Sequence, residues 1–248
     1  MASNSLLNTK EAAKFLRVSE ASIRRWSDAG LLAAQRVGRR RERRFAPSEL
    51  RRFLENPPGD LRPAAAELSP VHVGGVSVPL RTHVAPLYGT DLGGLRLSVP
   101  FLADGLRAGQ PCFLVATGAV LERYAKALSG EREVDFEAAV AGGTLLVLDG
   151  PGASPSEAVG NWERRLGRAL DAGPTVLRIV GEMACARQMF ASEADMMAYE
   201  EAYELMARRF PAVTLCQYDA REFDGGIMLR ALKSHPDMFE QHLGGFLN

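Results

Sequence analysis

Three features of the 248-residue sequence predict an α/β protein that carries a small basic helical head. Four short, continuously apolar runs are each trailed by a helix-period pattern, which implies strands buried on both faces and joined into a parallel sheet. A proline-rich stretch beginning at Asn56, N-P-P-G-D-L-R-P-A-A-A-E-L-S-P, denies regular backbone hydrogen bonding and reads as a linker. The formal net charge of zero conceals the third feature. Residues 1–56 hold 13 Lys/Arg against 6 Asp/Glu, a net of +7, and the remainder holds 17 against 24, a net of −7. The expected organisation is a head over 1–56, a linker over 57–70 and an α/β body over 71–248. A basic head on an acidic body places the phosphate-binding surface at the N-terminus.

The head is justified element by element. Thr9 reads as the N-cap of a helix running to Leu16, with Ala12, Ala13 and Leu16 as its buried stripe. Ser19 caps a second helix, S-E-A-S-I-R-R-W-S-D-A-G-L-L, which stops at Gly30. Ile23 and Trp26 share one face of it and read as core, leaving Ser22, Arg24 and Arg25 on another. The tight gap from Leu16 to Ser19 is that of a helix-turn-helix. A short helix that exposes a hydroxyl and two arginines suits the DNA major groove. Gly38 marks a hairpin tip surrounded by Arg39, Arg40, Arg41, Arg43 and Arg44, a basic wing, and Ser48 caps a third helix bearing Leu50, Phe53 and Leu54. Through its I-R-R-W and G-L-L runs and the G-R-R-R-E-R-R-F wing, the head resembles the MerR/excisionase-type winged helix-turn-helix. That resemblance implies base contacts from Ser22, Arg24 and Arg25, and phosphate contacts from the wing arginines.

In the body, His83–Tyr88 (H-V-A-P-L-Y) is a short strand ended by Gly89 and Thr90. Leu92, Leu95, Val99, Leu102 and Leu106 then recur at helical spacing, with Pro100 expected to kink or restart the helix and Gly105 and Gly109 to close it. The four apolar runs are Cys112–Ala116, Thr144–Leu148, Val176–Val180 and Val213–Cys216. The helices after them carry Leu121/Tyr124/Leu128, Val159/Trp162/Leu166/Leu170, Met196/Tyr199/Tyr203/Met206/Phe210 and Ile227/Leu229/Leu232.

Ligands of open parallel sheets collect outside the carboxyl ends of the strands. That rule selects Thr117 and Gly118, Asp149 and Gly150, Gly181 to Met183 with Glu182 between them, and Gln217 to Asp219, with Tyr218 among them. Glu182 and Asp219 are expected on one rim, with Tyr218 as an aromatic wall. Asp149 and Asp219 are equally suited to cap the loop or helix after each strand. Glu182, directly after a buried strand and a glycine, has few structural duties. His83 and His235 read by themselves as satisfied structural histidines. No H-x-x-x-H spacing or His/Cys cluster suggests a metal, and no cofactor is expected. Cys112, Cys185 and Cys216 are scattered, with no C-x-x-C pair; Cys112 and Cys216, inside apolar runs, read as reduced core residues of a cytoplasmic protein. The 46% apolar, 24% charged composition excludes a disordered chain, and no run is long enough for a membrane span.

H-V-A-P-L-Y, F-L-A-D-G-L-R-A-G-Q-P-C-F-L-V-A-T, L-R-I-V-G-E-M, the Tyr199-Glu200 pair, L-C-Q-Y-D and L-K-S-H-P together resemble the MEDS domain, the sensory domain of the dichloromethane-regulator type. The resemblance covers about residues 80–240. It implies a RecA/KaiC-like parallel-sheet fold and a small-molecule sensor, with hydrocarbon derivatives proposed as ligands. It singles out His83, Tyr88, Glu182, Tyr218, Asp219 and His235. The phosphate loop of the related ATPases requires G-K-[ST], whereas this chain has A-T-G-A-V-L-E-R, so the lysine charge and metal-holding hydroxyl are both missing. The expected function is a DNA-binding transcriptional regulator that binds double-stranded DNA as a homodimer under control of a small molecule. The alternatives are an enzyme using Glu182 or Asp149 as general base, and a regulator controlled by a docking protein. The chain presents no nucleophile–base–orienter set, which argues against the enzyme.

Overall fold

The computed structural model describes residues 6–16, 20, 23–24, 27, 32–38, 42–55, 71–150, 152, 154–171, 173 and 176–240. In the head, β1 (Leu7–Asn8), β2 (Gln35–Val37) and β3 (Glu42–Phe45) form an antiparallel sheet in the order β1-β3-β2. Helix α1 (Thr9–Leu16) is capped by Asn8, not Thr9. Asn8 Oδ1 accepts from the amide of Glu11 at 2.9 Å, and Glu11 returns Oε2 to the amide of Asn8 at 2.8 Å, a reciprocal capping box. Helix α2 (Pro47–Glu55) begins on Pro47, whose missing N–H is harmless in a first turn. Ser48 therefore lies inside the helix, and the carbonyl of Ala46 accepts from Glu49 and Leu50. Ala12, Ala13, Leu16, Ile23, Leu32, Phe45, Leu50 and Phe53 form one core, and the helical spacing predicts all of these but Leu32 and Phe45. The expected Ser19 cap, the Gly30 stop and the 57–70 linker lie outside the described residues, as do Ser22, Arg25, Trp26, Arg39, Arg40 and Arg41.

The body opens on a two-stranded hairpin, β4 (Val71–Val73) and β5 (Val76–Val78). Beyond it lies a parallel sheet in the order β6-β11-β10-β8-β9, with β7 also on β11. Its strands are β6 (Thr82–Val84), β7 (Leu87–Tyr88), β8 (Cys112–Val115), β9 (Leu145–Leu148), β10 (Leu177–Glu182) and β11 (Ala212–Asp219). The helices are α3 (Asp91–Arg107), α4 (Gly118–Ser129), α5 (Phe136–Ala141), α6 (Pro155–Asp171), α7 (Met183–Arg187), α8 (Glu193–Ala207), α9 (Gly225–Ser234) and α10 (Asp237–Glu240).

Each strand feeds two cores because successive side chains point to opposite faces. On β11, Ala212, Cys216 and Tyr218 join the core under α6, α8 and α9, whereas Val213 and Leu215 join the core under α3 and α4. The same alternation runs through β8, with Phe113 and Val115 on the first face and Cys112 and Leu114 on the second.

Two sequence expectations fail here. Helix α3 does not restart at Pro100 but continues through it from Asp91 to Arg107. An interior proline costs about 3 kcal/mol or more, but Leu97, Val99, Phe101, Leu102 and Ala103 are all buried and together outweigh it. Pro100 itself faces solvent. Leu92 and Leu229, expected on buried stripes, are exposed at 80% and 54%, so neither belongs to its helix's core face.

Candidate functional site

The face split places two buried polar clusters on opposite sides of the sheet. The first surrounds Glu182, the last residue of β10. Its Oε2 accepts from Tyr88 Oη at 2.9 Å, and its Oε1 accepts from Tyr124 Oη at 2.6 Å and from Gln217 Nε2 at 2.7 Å. Tyr124 Oη also lies 2.9 Å from Ser98 Oγ, so its one proton has two acceptors in reach. Burial raises the pKa of Glu182 although Tyr124, Tyr88 and Gln217 all oppose the rise. Burial likewise raises that of Tyr88, helped by the charge of Glu182. Tyr88 is pinned against α3, because a Cβ at Gly94 would stand 3.0 Å from its ring. A cavity of about 10 Å³ touches Tyr88, Gly94, Arg123, Tyr124 and Glu182, which is room for about one water.

An ion-pair chain lies at the mouth of this cluster. Arg123 pairs with Asp91 at 3.3 Å, Asp91 with Arg221 at 2.6 Å, and Arg221 with Asp219 at 2.6 Å. Asp219 is thus near the expected rim but is engaged with Arg221, whose side-chain bonds and charge hold its carboxyl below the usual range against the effect of burial.

The second cluster is centred on His83 of β6. Its Nδ1 donates to Glu204 Oε2 at 2.8 Å, and its Nε2 lies 3.1 Å from Cys216 Sγ and 3.0 Å from His235 Nε2. His235 Nε2 is 3.1 Å from Glu200 Oε2, which also accepts from Tyr218 Oη at 3.1 Å. Burial lowers the pKa of His83, with His235 adding to the effect. Burial opposes charge on His235 too, but the bond and charge of Glu200 outweigh it and raise that pKa. Arg208 Nε donates to Glu204 Oε1 at 2.6 Å and its Nη2 to Asp237 Oδ1 at 3.0 Å. Asp237 Oδ2 in turn accepts the backbone amide of His83 at 2.8 Å.

The residues predicted as one ligand-binding set are therefore divided. Tyr88 and Glu182 meet as expected. Tyr218 is not a wall beside Glu182: strand alternation turns it to the other face, where it is fully buried against Glu200. His83 and His235 do come together, in that same second cluster. The expectation of no His/Cys cluster is corrected, because four elements distant in sequence assemble one. Asp149 is exposed beyond the edge strand β9. Thr117 precedes α4 without a side-chain capping bond, and Gly118 has φ +51° with open space where a Cβ would be. The strand-end rule reaches Gln217, and Glu200 enters the sequence reading only through the Tyr199-Glu200 pair of the resemblance; Glu204 was missed, and Tyr124 and Cys216 were taken only as core. The legible signal was Glu200 and Glu204, two carboxylates one turn apart on the same helix face as the apolar Met196, Met197 and Tyr203.

In the head, Arg24 is helical and exposed, and it pairs with Glu20 at 2.6 Å. Gly38 has φ +74° at the tip between β2 and β3, as the wing requires, and Arg43 and Arg44 stand on β3. Arg44 pairs with Glu42 at 2.9 Å.

Residues 82–236 match the profile of the MEDS family, described as the methanogen/methylotroph, DcmR sensory domain, and residues 6–57 match a helix-turn-helix domain family. The chain is 37% identical over 249 residues to the transcriptional repressor DcmR of Methylorubrum extorquens, an alignment spanning 96% of this chain and 92% of that protein. Among solved structures, the flagellar accessory protein FlaH of Methanocaldococcus jannaschii aligns at TM-score 0.41 and 13% identity, over 65% of this chain and 71% of its own. The uncharacterized protein PH0321 of Pyrococcus horikoshii aligns at TM-score 0.44 and 13% identity, over 65% and 77%. Both the profile match over most of the body and the alignment over nearly the whole length lead to one conclusion: the chain belongs to the MEDS sensory-domain family and carries a helix-turn-helix domain at its N-terminus.

Proposed function

We propose that this protein is a cytoplasmic transcriptional regulator, a homodimer whose heads bind operator DNA and whose bodies sense a small molecule at Glu182. Belonging to the family of a transcriptional repressor supports the regulatory part. The single observation that carries the sensing part is the Glu182 cluster. A carboxyl group fully removed from solvent, at the carboxyl end of a central strand, is met by two tyrosine hydroxyls and an amide beside a cavity of about 10 Å³. A ligand of a few heavy atoms would exchange hydrogen bonds with Glu182, Tyr88 and Tyr124 and displace the side chains that close the cavity. Each head reads a half-site, so the bodies act by setting the distance between heads against half-sites about 34–36 Å apart or a multiple of it.

Arg24, with Ser22 and Arg25, is the base-contacting set in this reading, and Arg39, Arg40, Arg41, Arg43 and Arg44 hold phosphate. Fluorescence anisotropy of the full chain on a duplex from its own upstream region, repeated over a salt series, tests it. Arg24→Ala is expected to weaken binding by about 1–3 kcal/mol and relax specificity. The pair Arg43→Ala and Arg44→Ala is expected to weaken binding to every duplex and flatten the salt slope by about 1 per lost phosphate contact. Wild-type affinity in all these variants would remove the head from DNA. Native mass spectrometry of Tyr88→Phe and Glu182→Gln beside wild type tests the sensor: a small molecule that co-purifies equally with all three does not sit at Glu182.

A further inference from the structure

His83, Glu200, Cys216 and His235 bring four metal-ligating side chains from β6, α8, β11 and the end of α9 to one point, their donor atoms all within 4.8 Å of one another. We propose that these four residues form a closed binding site for a divalent transition-metal ion, and that zinc is the ion their chemistry fits. The proposal goes beyond the sensory reading and does not rest on it, since the Glu182 cluster lies on the other face of the sheet.

The hydrogen-bond pattern is that of a preformed ligand set. His83 commits its Nδ1 proton to Glu204, and His235 commits its Nδ1 proton to the carbonyl of Ala231 at 2.7 Å. In the neutral tautomers both Nε2 atoms therefore carry bare lone pairs, and these nitrogens face one another at 3.0 Å. Two lone pairs at that distance repel unless a cation is beside them. Cys216 Sγ and the Glu200 carboxylate converge on the same point, at 3.1 Å from His83 Nε2 and 3.1 Å from His235 Nε2. A proton shared by the imidazoles would leave that sulfur only a weak thiol bond.

Size and charge agree. Tetrahedral zinc at about 2.0–2.3 Å from N, O and S ligands separates those ligands by roughly 3.3–3.7 Å. The donor spacings here include 3.0 Å between the two imidazole nitrogens and 4.0 Å between His83 Nε2 and Glu200 Oε2, and none exceeds 4.8 Å. Three carboxylates, Glu200, Glu204 and Asp237, gather in this region, and the guanidinium of Arg208 pairs with the last two, so a buried cation offsets a surplus of negative charge. Imidazole with thiolate selects zinc over magnesium or calcium. Glu204, held in place by Arg208, is the outer carboxylate that orients the His83 ring. All four ligands are at most 3% exposed, so the site has no open position for water, as in a structural zinc centre.

The test uses the full chain, stripped with a chelator, reloaded with zinc or cobalt(II) and freed of excess metal by gel filtration. We expect about one zinc per chain by plasma mass spectrometry and, with cobalt, tetrahedral visible bands plus a near-ultraviolet thiolate charge-transfer band. Cys216→Ser is expected to abolish the charge-transfer band, and Glu204→Gln to weaken metal affinity about 10–100-fold without removing the band. The wild-type spectrum stands by itself if a variant fails to fold. Folded wild-type protein that takes up neither ion, or a charge-transfer band that survives Cys216→Ser, would overturn the site.

Discussion

The two faces of the body's sheet solve the problem of burying polar groups in different ways. On the α3/α4 face, Glu182 is surrounded by neutral donors, Tyr88, Tyr124 and Gln217, beside a small cavity. On the α8/α9 face, Glu200 and Glu204 are matched by groups able to carry positive charge, His235, His83 and Arg208, in a region packed by Trp162, Tyr199 and Tyr203. Neutral donors leave the charge state of Glu182 adjustable, which suits a sensor. The cation Arg208 and the two imidazoles hold Glu200 and Glu204 in fixed hydrogen bonds, which suits a scaffold. Trp162 Nε1 donates to Tyr199 Oη at 2.9 Å, so even the aromatic wall of the second face has its polar atoms paired.

This contrast makes the second face the costlier one to break. Glu200→Ala is expected to destabilise the protein by about 3–5 kcal/mol, since it strands His235 and leaves Tyr218 and Cys216 without their acceptor. A fall of less than about 1 kcal/mol in urea unfolding would show that the cluster does not tie its elements together.

Glu182→Gln is expected to have a smaller effect, one that depends on pH. Because burial raises the folded-state pKa of Glu182 above its ordinary 4.5, the folded protein holds that proton more tightly than the unfolded chain. The resulting stabilisation is complete below pH 4.5 and is lost as pH rises through the raised folded value. The difference in urea midpoint between wild type and Glu182→Gln, followed from pH 4 upward, should therefore move in the variant's favour. A difference flat with pH would mean that Glu182 titrates normally.

Tyr124→Phe removes one donor to Glu182 and is expected to cost about 1 kcal/mol while raising the Glu182 pKa further, because Tyr124 is the strongest of the groups opposing that rise. Gly94→Ala should crowd the Tyr88 ring and shift its near-ultraviolet signal more than it shifts stability. Smallest of all, Asp91→Asn breaks two exposed pairs, with Arg123 and Arg221, and is expected to leave the melting temperature unchanged within error at physiological salt. A clear drop there would make the ion-pair chain part of the Glu182 site.

Much of this was legible along the chain. Alternating apolar runs and helix stripes announced the parallel sheet, and a carboxylate directly after L-R-I-V-G marked Glu182 as a strand-end residue without a local partner. Helix starts were less legible: Thr9 and Ser48 are good caps by type, but Asn8 had the reciprocal partner in Glu11 and Pro47 the compatible backbone. Pro100 was misjudged because propensity is local, while the burial that overrides it comes from elements far away in sequence.

Sequence alone determined which side chains are available and, through the two-residue period of a strand, that Cys216 and Tyr218 cannot face the same way as Gln217 and Asp219. It could not determine which distant residue meets each of them. His83 lies 152 positions from His235 and 133 from Cys216, and only the order β6-β11-β10 with α8 and α9 packed on one face closes those separations to about 3 Å. A pattern read along the chain reports neighbours within a turn or a strand. Contacts made by folding depend on how whole layers stack, and that was decided by burial of the two cores.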